Sequence, residues 1–181
     1  MPTCRPLQRQ ILSPHSLPRF LAMAIASFLL SFAPAIATPT HPQTPSLEIP
    51  TAAALEQAVY DQINQHRVSM GLAPLTLDPR ISDRARAHSQ AMAEQRIPVS
   101  HYNFRDRARQ IRRIVRFRRI AENVAYIFTH RNTADRAVQG WLQSASHRAS
   151  IEGNYSITGI GVVQGDRGAF YFTQIFVRPR R

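Results

Sequence analysis

The spacing of apolar residues changes along this chain, and the change restricts the possible folds more than any other feature of the sequence. Over residues 51–70 and 79–95, apolar side chains recur every three or four positions, which is typical of one face of a helix. Residues 158–164 and 169–177 are instead rich in β-branched and aromatic side chains, and the Gly-Asp-Arg-Gly sequence between them favours a hairpin. Helices that precede a hairpin predict an α+β fold, in which helices cover a small antiparallel sheet.

The ends of the two predicted helices follow from single residues. Gly71 can adopt the left-handed conformation that ends the first helix. Asp78 can accept a hydrogen bond from the first turn of the second helix, and Pro79 has no backbone donor to leave unpaired there. His88 falls on the apolar face of this second helix, so we expect it to be buried and hydrogen-bonded rather than to bind a ligand.

Three further elements are predicted between the second helix and the hairpin. A short helix within residues 101–120 would be covered by arginine stems. Thr133 would cap another helix, and a third strand is expected near residues 123–128. The apolar anchors of the short helix are expected to be Ile111, Ile114, Val115 and Ile120.

The first 37 residues have the three parts of a secretory signal peptide. Three arginines precede an apolar run over residues 20–32, and Ala-Ile-Ala at residues 35–37 is typical of a cleavage site. The apolar run is shorter than the roughly 20 residues that a membrane-spanning helix needs. We therefore expect a secreted protein, periplasmic or extracellular, and an N-terminal membrane anchor is the alternative if the leader is not cleaved.

The leader is followed by a stretch that does not favour regular structure. Four prolines within residues 38–52 predict an extended linker, and the folded domain is expected over residues 53–181. The single cysteine, Cys4, lies in the predicted leader. The mature domain would then hold no disulfide, so its stability must come from its core.

The charge of the chain is strongly positive and unevenly distributed. The formal charge is +12, and eight arginines fall between Arg105 and Arg119. This segment is either a solvated basic flap or a surface that binds anionic cell-envelope polymers or lipids. Only Phe104 and Phe117 interleave with the arginines, so specific recognition of nucleic acid is not expected.

Short motifs follow one another through most of the predicted domain, and their order is more specific than any one of them. The motifs are Asn64-x-x-Arg67, Ala87-His88-Ser89-x-x-Met92, Ser100-His101, Ala121-Glu122-Asn123, Trp141-x-x-Ser144-x-x-His147 and Gly159-Ile160-Gly161-Val162. With these motifs the chain resembles the bacterial members of the CAP superfamily, the family of cysteine-rich secretory proteins, antigen 5 and pathogenesis-related 1 proteins.

The resemblance implies an α-β-α sandwich with a cleft that carries up to two histidines and two acidic residues. His101 and His147 match the two histidines, and Glu122 matches one of the acidic residues. Ser144 stands where the family has its second carboxylate, so the four-residue set is incomplete. Asn123 follows the glutamate and is expected beside the cleft.

The chemistry of His101, Glu122 and His147 leaves three interpretations open. The three side chains could hold a divalent cation, with zinc the first choice and water completing the shell. They could also form a histidine pair that moves protons near neutral pH. In the third interpretation the two histidines cap helices and satisfy neighbouring backbone groups.

From these features we predict a secreted, non-enzymatic binding module with a cleft lined by histidine and glutamate. The alternative is a metal-assisted hydrolase or protease that uses the same residues. The sequence contains no His-Glu-x-x-His motif, no Gly-x-Ser-x-Gly motif and no glycine-rich phosphate loop, so no common catalytic motif supports that alternative.

Overall fold

Residues 50–129 and 131–180 are the part of the chain that the computed structural model describes. The predicted leader and the linker before residue 50 lie outside it. None of the helices in these two described stretches is long and apolar enough to cross a membrane. Along the chain the elements are α1 (Ala52–Ser69), β1 (Thr76–Leu77), α2 (Pro79–Ala93), α3 (Phe104–Ile114), β2 (Phe117–Ile127), α4 (Thr133–Gln143), α5 (Ala145–Ile151), β3 (Ile157–Gln164) and β4 (Phe170–Pro179).

The helix starts test the capping predictions directly. The Asp78 side chain accepts a hydrogen bond from the Arg80 nitrogen, and Pro79 is the first residue of α2, so this prediction is confirmed. The prediction for Thr133 is wrong by one residue, because Asn132 precedes α4 with a positive φ of 52°. The Thr133 hydroxyl donates to the Thr129 carbonyl and thereby closes the turn before the helix.

The sheet has four strands in the order β1-β3-β4-β2. The predicted hairpin is confirmed as the antiparallel pair β3–β4, and β2 pairs antiparallel with the other side of β4. Strand β1 was not predicted; its two residues run parallel to β3. Strand β2 begins at Phe117, well before the predicted third strand, so Ile120 lies in a strand and not in the short helix. The first residues of β2 are mostly arginines, which hide the pattern of a strand.

Helices cover both faces of this sheet, which confirms the predicted α-β-α sandwich. On one face α2 packs on β3 and β4, and α3 contacts α2 and β2. On the other face α1 contacts β3, while α4 and α5 contact β2. Each layer has its own apolar core, and the larger core contains Trp141, Phe170, Phe172 and Phe176. Strand β2 is an edge strand, so the two helical layers approach each other beside it.

A buried arginine holds the end of α1 against the segment that leads into β3. Arg67 is 2% exposed, and its guanidinium makes four hydrogen bonds to backbone carbonyls. In the same motif, Asn64 exchanges two hydrogen bonds with the backbone of Leu75. These contacts give the Asn64-x-x-Arg67 motif a structural role. The carbonyls that Arg67 binds belong to Ala73, Ile151, Gly153 and Tyr155.

Two glycines in β3 let α2 lie directly on the sheet. A Cβ atom at Gly159 would lie 2.5 Å from the carbonyl carbon of Ile81, and one at Gly161 would lie 2.1 Å from the backbone nitrogen of Arg86. Both obstacles are backbone atoms, which cannot move aside without moving the helix. The Gly159-Ile160-Gly161 motif therefore sets the distance between α2 and the sheet.

We expect Gly161→Ala to lower the free energy of unfolding by about 3 kcal/mol, the upper end of the usual cost of overpacking. Urea denaturation followed by circular dichroism measures this change. Gly140 in α4 is the matched control, because a Cβ there meets no atom within 4 Å. Gly140→Ala should stabilise the protein by roughly 0.5–1 kcal/mol through helix propensity. Equal effects of the two substitutions would contradict the close contact between α2 and β3.

Candidate functional site

The candidate site is built around two successive residues of the edge strand β2. Successive side chains of a strand point to opposite faces of the sheet. Glu122 contacts the layer that contains α3, and Asn123 contacts α5 in the other layer. Each of the two residues holds a segment that carries one of the predicted histidines.

The Glu122 carboxylate is buried and fully engaged. Its side chain is 1% exposed, and Arg107 of α3 donates to both oxygens, from Nε to Oε2 and from Nη2 to Oε1, each at 2.7 Å. His101 Nδ1 lies 3.0 Å from Oε1. The positive charge of Arg107 and its two hydrogen bonds to the carboxylate offset the large cost of burying the ionised Glu122 side chain.

The loop that carries His101 is held on both sides of that residue. His88 Nε2 lies 2.9 Å from the Ser100 carbonyl, and since a carbonyl can only accept, this nitrogen carries the proton. Arg107 Nη1 donates to the Tyr102 carbonyl at 3.0 Å. With Nδ1 of His101 directed at Glu122, its other ring nitrogen, Nε2, is left for solvent or a ligand. The side chain of His101 is 50% exposed.

His147 reaches the same place from the opposite layer. It lies in α5, and the Asn123 amide donates to its backbone carbonyl at 3.1 Å. The rings of His101 and His147 have their centroids 6.4 Å apart and are tilted by 51°. We call these two rings the imidazole pair.

Two histidines of this region have a pKa below the ordinary value. Partial burial lowers the pKa of His147, and the positive charge that His101 can carry lowers it further. Burial also lowers the pKa of His88, with a second contribution from the Arg107 guanidinium. His88 and His147 are therefore neutral at pH 7, and His88 is buried and hydrogen-bonded as predicted.

The structure brings the three principal predicted residues, His101, Glu122 and His147, into one site. Asn123 lies behind His147 as a positioning residue, and the Ser144 hydroxyl pairs with that of Ser146 at 3.2 Å.

Because Arg107 binds both oxygens of Glu122, the carboxylate is not free to ligate a cation in this arrangement. Within residues 50–129 and 131–180, no three His, Cys, Asp or Glu side chains gather in a way that could hold a metal ion. Zinc binding stays a prediction that concerns the imidazole pair.

The sequence prediction missed Arg107, the residue on which the geometry depends. It was counted among the eight arginines of a solvated or anion-binding segment. Arg107 lies four residues before Ile111, so both fall on the buried face of α3, while Arg109 and Arg112 point outward. The helical spacing of Ile111 and Ile114 is the signal from which the inward position of Arg107 could have been predicted.

Residues 60–176 of the chain match the model of the cysteine-rich secretory protein family, CAP. Among similar proteins are two from Bacillus subtilis. The uncharacterized membrane protein YlbC is 33% identical over 128 residues, which are 68% of this chain and 34% of that protein. The uncharacterized protein YkwD is 30% identical over 152 residues, which are 81% of this chain and 55% of that protein. The chain thus spans about one third of the first relative and about half of the second.

Solved structures resemble the chain over most of its length. An extracellular protein of Bacillus anthracis that contains an SCP domain is 28% identical, with a TM-score of 0.58, over 77% of this chain and 45% of that one. An outer surface protein of Borrelia burgdorferi has a TM-score of 0.62 at 18% identity, over 72% of this chain and 97% of that one. The second likeness is one of fold alone.

The pairing of Glu122 with Arg107 can be measured by a double-mutant cycle. We expect Glu122→Leu and Arg107→Leu each to lower the free energy of unfolding by about 3–5 kcal/mol, because each leaves one buried charge without its partner. The decrease in the free energy of unfolding should be much smaller for the double variant than the sum of the decreases for the two single variants. The exposed pair of Arg109 and Asp106 on the same helix is the control, with an expected coupling below about 1 kcal/mol. Additive losses for Glu122 and Arg107 would contradict the buried pair.

His88 should make the protein less stable in acid. Its pKa is below the ordinary value of 6.5 in the folded state, so the unfolded chain binds a proton first as the pH falls. Its contribution to stability is complete above this ordinary value and is lost as the pH falls towards the lowered pKa. Urea denaturation at about pH 7 and about pH 5 measures the free energy of unfolding at each pH. Between these two values, the native chain should lose more of this free energy than the His88→Gln variant. Equal losses would show that His88 does not titrate in this way.

Proposed function

This chain belongs to the cysteine-rich secretory protein family, CAP, and from that premise we propose that it is a non-enzymatic binding module that acts outside the cytoplasm. The imidazole pair is its recognition element. In this proposal Glu122, Arg107 and Asn123 position the two histidines and do not contact the ligand. The module takes a divalent cation, with zinc the first choice, or a small ligand that carries hydrogen-bond donors.

The observation that carries this proposal is the nitrogen lone pair left on each ring. A carboxylate that is bound to Arg107 can only accept, so Nδ1 of His101 carries the proton and Nε2 of the neutral ring is an acceptor. The lowered pKa of His147 keeps its ring neutral at pH 7. Two imidazole rings whose centroids lie 6.4 Å apart offer ring nitrogens to a cation such as zinc. A carboxylate that orients a histidine from behind is the usual support of such a ligand.

The alternative function, a metal-assisted hydrolase or protease, has weaker support. Glu122 is poorly suited to act as a general base that takes a proton from water, because Arg107 donates to both of its oxygens. Ser144 stands at the position of the second carboxylate, and its hydroxyl is paired with Ser146. The histidines remain, but nothing in these contacts activates a nucleophile.

The proposed location rests on the predicted leader and on the similar proteins. One relative is described as a membrane protein and one structural neighbour as an extracellular protein. We propose that the domain is exported, either free or held at the membrane by an uncleaved leader.

Zinc titration by calorimetry tests the imidazole pair. The native chain should bind one zinc ion, with an affinity in the micromolar range or weaker because two imidazoles leave the rest of the shell to water. His101→Ala and His147→Ala should each abolish the binding. Nuclear magnetic resonance of the ring protons should report the same two histidines.

His66 is the matched control for this titration. It pairs with Glu152 at 3.0 Å, the same distance as between His101 and Glu122, but it lies at the end of α1. His66→Ala should leave zinc binding unchanged. Zinc binding that survives the loss of His101 and His147, or that needs His66, would contradict the proposal.

A further inference from the structure

We propose that the chain carries a second binding site, the basic end of the sheet, which holds a linear phosphate-bearing polymer of the cell surface. The site consists of arginines at the end of α3, the start of β2 and the end of β4. It rests on the proposed export of the domain, but it uses no residue of the imidazole pair. Its members are Arg112, Arg116, Arg118, Arg119, Arg178 and Arg180.

The sheet topology gathers these arginines, although they are far apart in the sequence. Strands β2 and β4 are antiparallel, so the start of one lies beside the end of the other, with Phe117 opposite Pro179. The Arg180 nitrogen donates to the Arg116 carbonyl at 2.9 Å, which extends the pairing past the strand ends. Arg119 lies opposite Arg178. In the sequence, only the part of this cluster that lies between residues 105 and 119 is contiguous.

An irregularity in β2 increases the number of arginines at this end. The register shifts between Phe117 and Arg119, so Arg118 is an extra residue relative to β4. Phe117 is buried, whereas Arg118 and Arg119 are both exposed. Arg112 lies over the Phe117 ring, with its guanidinium carbon 4.2 Å from the ring centroid. The aromatic ring therefore supports one arginine, and the bulge exposes two more.

The charges at the basic end have no counter-charge among the residues that the structure describes. Among residues 50–129 and 131–180, none of the six arginines forms an ion pair or a side-chain hydrogen bond. Other arginines of the same region differ in this respect, since Arg107 pairs with Glu122 and Arg109 with Asp106. Six unpaired guanidinium groups provide bidentate donors for anionic oxygens.

The surface of the basic end contains two recesses. One recess of about 340 Å³ is lined by Arg118 and Arg178, together with the neutral donors Asn154 and Ser156. A second recess, also of about 340 Å³, is lined by Arg112, Arg116 and Arg180. Each recess offers at least two guanidiniums to the phosphate groups that enter it. A single phosphate would use one recess, whereas a polymer with repeated phosphates would use both.

The surroundings favour a polymer over a lipid bilayer or a nucleic acid. Apolar side chains that insert into a bilayer would strengthen docking on a membrane, and none of the exposed large apolar residues lines either recess. Exposed aromatic rings that stack on bases would strengthen binding of single strands, and the ring at this site, Phe117, is buried. The exposed large apolar residues are Val68, Met70, Leu77, Val99, Tyr102, Tyr126 and Phe128.

The test uses the full chain and long-chain inorganic polyphosphate as the probe, with binding followed by calorimetry or fluorescence anisotropy. We expect the logarithm of the binding constant to fall by about 0.7 for each phosphate engaged per tenfold rise in salt, which gives a slope of about −4 for six arginines. Arg118→Ala with Arg178→Ala should weaken binding at least about tenfold and reduce the slope by about 1.4. Arg116→Ala with Arg180→Ala should act similarly.

The matched control removes the same charge elsewhere. Arg131 and Arg167 are exposed and form no ion pair within the described part of the chain, and Arg167 lies in the hairpin turn before β4 begins. Arg131→Ala with Arg167→Ala should leave the affinity within about twofold. Equal weakening by the control would mean that net charge alone attracts the polymer, and it would overturn the proposal.

Two further probes decide between partners. Vesicles of anionic lipid that bind as tightly as polyphosphate would identify the basic end as a membrane contact and overturn the proposal. A single-stranded DNA oligonucleotide that binds more tightly than polyphosphate would overturn it in favour of nucleic acid. Circular dichroism should show that all variants are folded, since the substituted side chains lie at the surface.

Failure of this proposal can be told apart from failure of the proposed function. A variant that combines the Arg116, Arg118, Arg178 and Arg180 substitutions should bind zinc as the native chain does, and the His101 and His147 variants should bind polyphosphate as the native chain does. Loss of polyphosphate binding in the histidine variants would mean that the two sites are one, and it would overturn the inference of a second site.

Discussion

The buried carboxylate of Glu122 is the constraint on which the candidate site depends. An ionised group inside a sheet-helix interface is costly unless an opposite charge and hydrogen bonds compensate it. Arg107 supplies both, and in doing so it fixes α3 against β2. The same guanidinium binds the Tyr102 carbonyl, and His101 uses the carboxylate as well. One buried ion pair thus determines the position of a helix, a loop and a functional ring.

The alternation of side chains along β2 explains how two histidines from opposite layers meet. Glu122 faces one layer and holds His101, while Asn123 faces the other and holds the backbone at His147. Strand β4 fixes the register of this strand over nearly its whole length. A slip by one residue would exchange the faces of Glu122 and Asn123 and separate the two rings. The position of β2 at the sheet edge is equally necessary, because a further strand there would lie between the layers.

The sequence was sufficient for the parts of the fold that depend on local patterns. The start of α2 at Asp78 and the β3–β4 hairpin follow from capping and turn residues, and both are confirmed. The two-residue strand β1 has no pattern of its own, because it exists only through its pairing with β3. The start of β2 was missed because arginines occupy the exposed positions of the strand.

The candidate site was predictable only in part, for a related reason. The motif order brought His101, Glu122 and His147 together, but it said nothing about which group compensates the buried acid. An arginine that neutralises a carboxylate looks the same in sequence as one that is solvated. Arg107 differs from its neighbours only in lying on the same face of α3 as Ile111. This difference is informative once Ile111 is known to face the core.

The arginines between residues 105 and 119 therefore serve two different physical purposes. Arg107 is buried and has a partner, so its charge contributes to the fold and is not available to a ligand. The arginines of the basic end are at the surface, and no acidic side chain of the described residues compensates them. Like charges gathered at one end of a sheet repel each other and destabilise the folded state. A polyanion that binds there offsets this repulsion, so the unpaired charges that destabilise the free protein favour the complex.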